Sequence, residues 1–279
     1  MTESDIILFD KEEGITSFSS LYSIKRNYPR KTKIGHAGTL DKFASGLMIV
    51  LVGSATKLNP VFSSFDKSYI ATIKFGEETD TLDPEGRIIK TSSLPTLDEV
   101  DTALKKIRGE SMQTPPVYSA VHVDGKRAYR EARKNHEIEM PQRRICVYDA
   151  EKISYSDGIL VASFHVSKGT YIRSLARDIA ASIGKVARLE KLRRTSIGPY
   201  SLEDIGKFDM KTLLEMTDLF SYVSLDGNYK KLIDNGCIPD EALLDDSDQS
   251  KDFKFLLFDG NLYAIAEVRD GRIRIISRV

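Results

Sequence analysis

Apolar and polar residues alternate from residue 67 to residue 75, and this period of two predicts a strand with one buried face. That face carries Tyr69, Ala71, Ile73 and Phe75. Residues 145–166 predict two further strands joined at Asp157-Gly158, a dipeptide typical of hairpin turns. Residues 5–10 predict a short additional strand.

Apolar residues recur at helical spacing in other parts of the chain. The predicted helices lie in residues 16–28, 96–107 and 171–184. Thr16 or Ser17 is available to cap the first of them. Residues 46–52 are nearly all apolar and fit either a buried helix or a buried strand. Helices and strands therefore both contribute to the predicted fold.

The composition changes after residue 200. Residues 201–250 contain 12 Asp and Glu against 4 Lys and Arg, and their pattern favours helices. Residues 253–279 predict strands, with turns at Asp259-Gly260 and Asp270-Gly271. A length of 279 residues fits one large domain with a smaller one. We therefore expect a large domain over 1–205, an acidic helical connection over 206–250 and a short β unit over 251–279.

The formal net charge of zero conceals a basic segment. Residues 101–200 contain 19 Lys and Arg against 11 Asp and Glu. Because affinity for nucleic acid depends on local clusters of cations, this segment fits an RNA or DNA partner as well as it fits a solvated surface. The cations are concentrated near an irregular stretch that opens at Gln113, with Tyr118 and Tyr129 among them.

Several classes of protein are disfavoured by what the sequence lacks. It contains no phosphate-binding GxxxxGK[ST] loop, no GxGxxG fingerprint and no GxSxG nucleophile motif. Its four His are not paired at metal-ligand spacing, and its two Cys form no CxxC. No apolar stretch approaches the roughly 18 residues of a membrane span, and the acidic start is unlike a signal peptide. A protein of the reducing cytoplasm is expected.

Asp41 is the main candidate for chemistry, because it follows a loop containing Gly35 and Gly38. It fits two interpretations: a helix cap worth about 1 kcal/mol, or a nucleophile held near a cation. Arg173 is a candidate partner, and it fits a surface ion pair equally well. Tyr69 and Tyr171 adjoin basic residues, so each ring could stack on a base or pack in the core.

Five blocks of sequence resemble, in order, the motifs of the TruB-type tRNA pseudouridine synthases. They span the chain from its first strand to about residue 200 and read GHAGTLD (35–41) with ASG (44–46), KSY (67–69) with TDT (79–81) and DPEG (83–86), QTPPVYSA (113–120) with AYREAR (128–133), GTYIRSLARD (169–178), and LRRT (192–195).

The resemblance implies isomerisation of the uridine at position 55, in the T-loop of tRNA. Asp41 would attack either C6 of the uracil or C1′ of the ribose, and C5 would replace N1 on C1′. The target base must first leave its stack. No cofactor and no metal would be needed. A tRNA-binding folding factor, a protein scaffold and a guide-RNA-dependent synthase are the alternative interpretations.

The resemblance also implies roles for the surrounding residues. Arg173 would keep Asp41 ionised, Tyr69 would stack on the uracil, and Tyr171 and Leu192 would line the pocket. His36 would lie against the T-loop. Residues 113–144 would form an RNA-gripping insertion, and the expected RNA contacts are Lys67, Tyr118, Lys126, Arg127, Arg130 and Arg133.

The expected fold is α+β, similar to that of pseudouridine synthases, with a mixed, mostly antiparallel sheet, flanking helices and a small PUA-like C-terminal β unit. The expected partner is tRNA, bound by its T-arm, with no membrane and no obligatory protein partner, so a monomer is expected. The chain departs from the family pattern at Lys42, where Pro is usual, and at His122, where Lys is usual.

Overall fold

A ten-stranded sheet forms the centre of the molecule. The computed structural model describes residues 4–119, 122–123, 126–127, 140–209, 220–235, 253–259, 261–269 and 272–278. Along the sheet the strands are β14 (Gly206–Asp209), β1 (Asp5–Lys11), β3 (Ser45–Val52), β12 (Ala187–Ile197), β4 (Lys67–Phe75), β11 (Ile159–Val166), β10 (Arg143–Ser156) and β7 (Gly109–Gln113). β2 (Ile34–Ala37) also pairs with β3, and β13 (Tyr200–Ser201) with β12.

Neighbouring strands of this sheet are antiparallel, except that β3 and β12 run parallel. The alternation of β4 reappears as alternating burial, and Tyr69 stands opposite Phe164 of β11 and Arg194 of β12. β10 and β11 form the predicted hairpin around Asp157-Gly158. Short ladders also join β5 (Glu77–Thr79) to β6 (Ile88–Thr91), and β8 (His122–Val123) to β9 (Lys126–Arg127).

The apolar segment whose conformation the sequence left open is strand β3. Nearly every residue of β3 is buried, because both faces of the sheet are covered at this point. Val50 packs against Leu21 and Ile24, while Leu47 and Leu51 belong to a second apolar cluster. A strand covered on both sides loses its polar alternation, so periodicity could not separate it from a helix.

The three predicted helices are confirmed as α1 (Ser17–Lys25), α3 (Leu97–Lys106) and α4 (Ile172–Ala181). Thr16 caps α1, and Thr96 caps α3 in a capping box with Glu99. Between β3 and β4 the chain forms a 3-10 turn (Gly53–Leu58) and α2 (Asn59–Ser64). A second 3-10 turn (Leu202–Asp204) follows β13. α3 and α4 contribute Val100, Leu104, Leu175 and Ile179 to the largest core cluster.

The C-terminal part forms a four-stranded sheet in the order β15 (Phe220–Leu225), β16 (Phe253–Phe258), β17 (Asn261–Arg269) and β18 (Arg272–Arg278). Phe253, Phe255 and Ile265 of this sheet share an apolar cluster with Leu47 and Leu51 of β3. The predicted α+β fold, with a mostly antiparallel sheet and a small C-terminal β unit, is therefore confirmed.

In the described residues 206–209 and 220–235, the segment that was expected to be helical contains strands as well as a helix. β14 pairs with β1 in the large sheet, and β15 pairs with β16 in the small sheet. Residues Gly227–Asp234 form the helix α5. The large sheet thus extends past residue 205. The overall acidity of the segment concealed short apolar runs such as residues 220–225, which have alternating character typical of strands.

Candidate active site

Asp41 lies in a loop, residues 38–44, that connects β2 to β3. Because a strand follows the loop, the interpretation of Asp41 as a helix cap is wrong. The backbone turns at this point, with Ala44 N–H donating to the Asp41 carbonyl over 3.1 Å. Gly38 has a φ of +89°, a conformation that favours glycine. We call residues 38–44 the Asp41 loop.

Two buried side chains hold the Asp41 loop in place. The Ser17 hydroxyl donates to the Leu40 carbonyl over 2.7 Å and accepts from the Leu40 N–H over 2.9 Å. The Lys11 ammonium donates to the carbonyls of Ala44 and Lys42, over 2.5 and 3.4 Å, and to that of Glu12 over 2.9 Å. Burial lowers the pKa of Lys11, and the nearby Asp41 opposes that change.

Arg173, near the start of α4, contacts the Asp41 carboxylate through two nitrogens. Its Nε lies 2.9 Å from Asp41 Oδ2, and its Nη2 donates to Oδ1 over 3.3 Å. Nη1 and Nη2 also donate to the carbonyls of Thr81 and Tyr118, each over 3.0 Å. The buried Arg173 is thus fixed by neighbours on several sides, and it is not a surface ion pair.

Asp83 is a second carboxylate on the same guanidinium. Its Oδ2 lies 3.1 Å from Arg173 Nη1, and its Oδ1 accepts from the Thr81 hydroxyl and the Glu85 N–H. Asp83 is buried. The sequence included Asp83 only in the family-like block DPEG (83–86), without a role of its own, since no local pattern reveals a partner 90 positions further along the chain.

The charge of Asp41 is set by opposing influences. Burial raises the pKa of the Asp41 carboxyl, Arg173 lowers it, and the like charge of Asp83 raises it again. The balance is a raised pKa. The side chain nevertheless keeps 38% of its surface exposed, towards a pocket. Asp41 is therefore a largely desolvated carboxylate whose ionised form Arg173 and Lys11 favour.

The pocket above Asp41 has a volume of about 280 Å³ and lies between the Asp41 loop, β4, β12 and the start of α4. Its lining brings together most of the predicted pocket residues: Tyr69, Tyr171, Arg173 and Leu192. The lining combines aromatic and apolar side chains with Asp41 and several cations, and such a lining suits a flat ring such as uracil. A base entering here would leave the stack of its own nucleic acid.

Arg194 of β12, which the sequence placed in the family-like block LRRT (192–195) without a role of its own, forms part of the pocket lining. This fully buried side chain donates to the carbonyls of Leu47 and Gly38, over 2.7 and 3.1 Å. The Tyr69 side chain is a further hydrogen-bond partner. β12 can approach β3 this closely because residue 46 is a glycine. A Cβ at this position would lie only 2.2 Å from the Arg194 carbonyl oxygen.

Arg143 is a second cation of the pocket that the sequence analysis did not single out. Its guanidinium carbon lies 5.2 Å from the centre of the Tyr171 ring, a cation–π arrangement. Gln113 holds the backbone of Tyr171 in place. Its side-chain oxygen accepts from the Tyr171 N–H over 2.9 Å, and its side-chain nitrogen donates to the Tyr171 carbonyl over 3.3 Å. The Arg143 Nε is buried without a hydrogen-bond partner within the described residues.

The other predicted RNA contacts have different surroundings. His36 lies on β2, outside the pocket lining, and burial lowers its pKa. Lys67 lines the pocket, but its ammonium donates to the carbonyls of Ser63 and Phe65, and burial lowers its pKa to about 8.

Tyr118 contacts Arg173 through its backbone carbonyl. Lys126 and Arg127 form β9, while Arg130 and Arg133 lie outside the described residues.

The two departures from the family pattern lie on different elements. Lys42 is exposed in the Asp41 loop, its ammonium lies 3.6 Å from Glu85, and its carbonyl accepts from the Gly14 N–H over 2.9 Å. His122 forms part of β8.

In the described part of the chain, no three His, Cys, Asp or Glu side chains form a group that could hold a metal ion. Among the same residues, no helix has the length and apolar character needed to cross a membrane.

Comparison with known proteins identifies relatives over most of the chain. The model of the TruB family pseudouridylate synthase (N terminal domain) matches residues 25–172. A tRNA pseudouridine synthase B of Borreliella burgdorferi (strain ZS7) is 43% identical over 242 residues, which are 84% of this chain and 86% of the relative. A protein of the same name from Caldicellulosiruptor saccharolyticus is 38% identical over 234 residues, which are 82% of this chain and 81% of the relative.

Solved structures agree at the level of the fold. A chain in the crystal structure of a Cbf5-Nop10-Gar1 complex has a TM-score of 0.67 and 20% identity, covering 98% of this chain and 85% of that one. The family model alone matches more than half of the chain, and the sequence relatives exceed one third identity. The chain therefore belongs to the TruB family of pseudouridylate synthases, and its activity is that of an isomerase.

Proposed function

We propose that this chain converts the uridine at position 55, in the T-loop of tRNA, into pseudouridine, with Asp41 as the nucleophile. The observation that carries the proposal is the Asp41–Arg173 ion pair at the base of a pocket with Tyr69, Tyr171 and Leu192 in its walls. The relatives named tRNA pseudouridine synthase B support tRNA as the substrate.

The reaction moves the sugar from one ring atom to another. Asp41 attacks the nucleoside at C6 or C1′, and the bond between C1′ and N1 breaks. The freed ring turns in the pocket, and C5 forms the new bond to C1′. The C5 proton then leaves, N1 gains a proton, and the Asp41 carboxylate is released. Atoms and electrons balance within the nucleotide, so the scheme uses no external oxidant, reductant or group donor.

Each wall of the pocket has a part in this scheme. Arg173 favours the ionised form of Asp41, which the attack requires. Tyr69, held on β4 and bonded to Arg194, stacks on the flipped uracil. Tyr171 and Leu192 enclose the turning ring, and Arg143 at the Tyr171 ring is placed to meet a phosphate. His36 fills space beside the T-loop, and residues 113–144 grip the RNA.

The test is tritium release from a tRNA transcript labelled with [5-³H]uridine, because isomerisation must expel the hydrogen on C5. We expect release by the wild type and none by Asp41→Asn. Asp101→Asn is the matched control, since Asp101 is 40% exposed in an ion pair with Lys152, and it should release tritium at the wild-type rate. Replacing the T-loop uridine by cytidine should abolish release.

Other outcomes would contradict the proposal. Release that continues with Asp41→Asn would remove Asp41 from the chemistry. A wild type that binds tRNA without releasing tritium would indicate an RNA-folding factor.

We also propose that the chain acts as a monomer, without a guide RNA or an accessory protein. The purified chain should then release tritium with no addition, and sedimentation should give the mass of one chain. Activity that appears only when a second protein or a guide RNA is supplied would overturn this part of the proposal.

A further inference from the structure

The exposed face of α1 carries two aromatic side chains that the proposed chemistry does not use. Phe18 is 58% exposed and Tyr22 is 55% exposed. Their ring centres lie 5.7 Å apart at an interplanar angle of 80°. The Lys25 ammonium lies 4.6 Å from the centre of the Phe18 ring and 5.7 Å from that of Tyr22. Single exposed apolar residues are common, whereas here two exposed rings contact each other and share a cation.

The chain around this pair is basic and contains no acidic residue. No Asp or Glu occurs between Gly14 and Leu40. The same stretch holds the cations Lys25, Arg26, Arg30, Lys31 and Lys33. Four of the five are exposed, Lys25 is half-buried, and none forms an ion pair with a carboxylate among the described residues. Such a cluster attracts a polyanion.

This face adjoins the pocket. Phe18 follows Ser17 directly, and Ser17 exchanges two hydrogen bonds with Leu40, which lines the pocket. The other side of α1 is anchored, because Leu21 and Ile24 pack against Val50 of β3. The turn after α1 is also fixed, since the Tyr28 hydroxyl donates to Asp5 over 2.8 Å. The aromatic pair and its cations therefore have a firm base beside the Asp41 loop.

We propose that Phe18, Tyr22 and the five cations form a second RNA-binding surface, which holds unpaired nucleotides of the substrate outside the pocket. We call these seven residues the α1 surface. Exposed rings offer faces on which unstacked bases can lie, and the cations suit the phosphates between them. The proposal rests on the proposed function, because it takes the RNA of the reaction as the occupant.

The first test measures the dissociation constant for a full-length tRNA transcript by fluorescence anisotropy. Phe18→Ala/Tyr22→Ala should bind about tenfold more weakly than the wild type. Leu97→Ala/Ile153→Ala is the matched control, since these side chains are 50% and 58% exposed on α3 and β10. It should bind within about twofold of the wild type. Phe18→Tyr/Tyr22→Phe keeps both rings and should restore binding.

Two further measurements separate stacking from charge. A fully paired RNA duplex offers no unstacked base, so Phe18→Ala/Tyr22→Ala should bind it as the wild type does. Lys25→Gln/Arg26→Gln should make the slope of log affinity against log salt shallower by about 0.7 for each lost phosphate contact. Lys105→Gln/Lys106→Gln, at the exposed end of α3, should leave that slope unchanged.

The kinetics should also differ from those of a pocket variant. With the α1 surface altered, KM for tRNA should rise while kcat at saturating tRNA stays at the wild-type value. Unchanged binding and an unchanged salt slope in an active enzyme would overturn the inference. A wild type that neither binds tRNA nor releases tritium would instead overturn the proposed function.

Discussion

Arg173 is shared by two carboxylates, and this sharing sets the charge of Asp41. A guanidinium can bind carboxylates along two of its edges, and here one edge faces Asp41 while Nη1 serves the buried Asp83. Asp83 fixes the cation that favours ionised Asp41, yet its own negative charge opposes that ionisation. The geometry thus gives Asp41 a well-placed partner and keeps its carboxyl pKa raised.

This balance predicts how the reaction depends on pH. The nucleophile must be ionised, so activity is lost as the pH falls through the raised pKa of Asp41, above the ordinary value of 3.8. Asp83→Asn removes a like charge, and the acidic limb of the single-turnover rate should move to lower pH. Glu85→Gln should move it in the same direction by a smaller amount. An acidic limb that stays in place in Asp83→Asn would contradict this electrostatic account.

Gly46 shows how a single residue can limit the approach of two strands. An added Cβ would lie 2.2 Å from the Arg194 carbonyl oxygen, and the φ of +110° is itself unfavourable for other residues. Gly46→Ala should lower the free energy of unfolding by about 2–4 kcal/mol, from overpacking together with backbone strain.

The measurement for Gly46→Ala is denaturant unfolding beside a matched glycine. Gly14→Ala has a comparable φ of +85°, but a Cβ there would meet nothing within 4 Å. It should lose only the strain contribution of about 1–2 kcal/mol. Equal losses in the two variants would show that the contact with β12 costs nothing.

At the scale of elements, the Asp41 loop depends on strands and a helix that the sequence does not connect to it. β1 supplies Lys11 below the loop, and α1 supplies Ser17 at its side. Each satisfies backbone groups that would otherwise be buried without a partner. The loop is therefore kept in one conformation by neighbouring elements.

Lys11→Met tests this dependence, because the side chain keeps its approximate shape but loses all three donors. The Ala44 carbonyl would lose its ammonium donor, whereas the Lys42 carbonyl would keep the Gly14 N–H, and stability should fall by about 1–3 kcal/mol. Displacement of Asp41 should lower kcat by roughly tenfold to 100-fold. Lys42→Met, which alters an exposed cation in the same loop, should change stability by less than about 0.5 kcal/mol. Wild-type kcat in Lys11→Met would exclude a positioning role for Lys11.

At the scale of the whole molecule, the two sheets share apolar packing. Phe253 and Phe255 of β16 belong to the same cluster as Leu47 and Leu51 of β3. Leu256, the next residue of β16, belongs to a cluster made only of C-terminal residues in the described part of the chain. Neighbouring positions on one strand therefore serve different cores, because successive side chains point to opposite faces.

This arrangement predicts different effects for two neighbouring substitutions. Phe255→Ala should lower the free energy of unfolding by about 3–5 kcal/mol and reduce hydrogen-exchange protection in both β3 and β16. Leu256→Ala should cost about 2–5 kcal/mol within the small sheet and leave β3 protected. The measurement is native-state hydrogen exchange resolved by peptide. Unchanged protection of β3 in Phe255→Ala would mean that the sheets are energetically independent.

The sequence by itself determined the features that depend on neighbours along the chain. Periodicity of two predicted β4, helical spacing predicted α1, α3 and α4, and Asp157-Gly158 predicted a hairpin. These patterns depend only on residues that are close in sequence, because backbone geometry repeats every two residues in a strand and every 3.6 residues in a helix. The spacing of Asp41 and Arg173 left open whether the two side chains meet, and the blocks resembling a known family implied that they do.

Only the tertiary structure decided which distant residues meet. Asp41 and Arg173 are 132 positions apart, and Arg173 and Asp83 are 90 positions apart. The strand identity of residues 45–52 also depended on packing, because both faces are covered. No individual role for Lys11, Arg143 and Arg194 was evident from the sequence, although Lys11 and Arg194 are fully buried beside the site. The pairing of strands determines such contacts, and no local pattern encodes them.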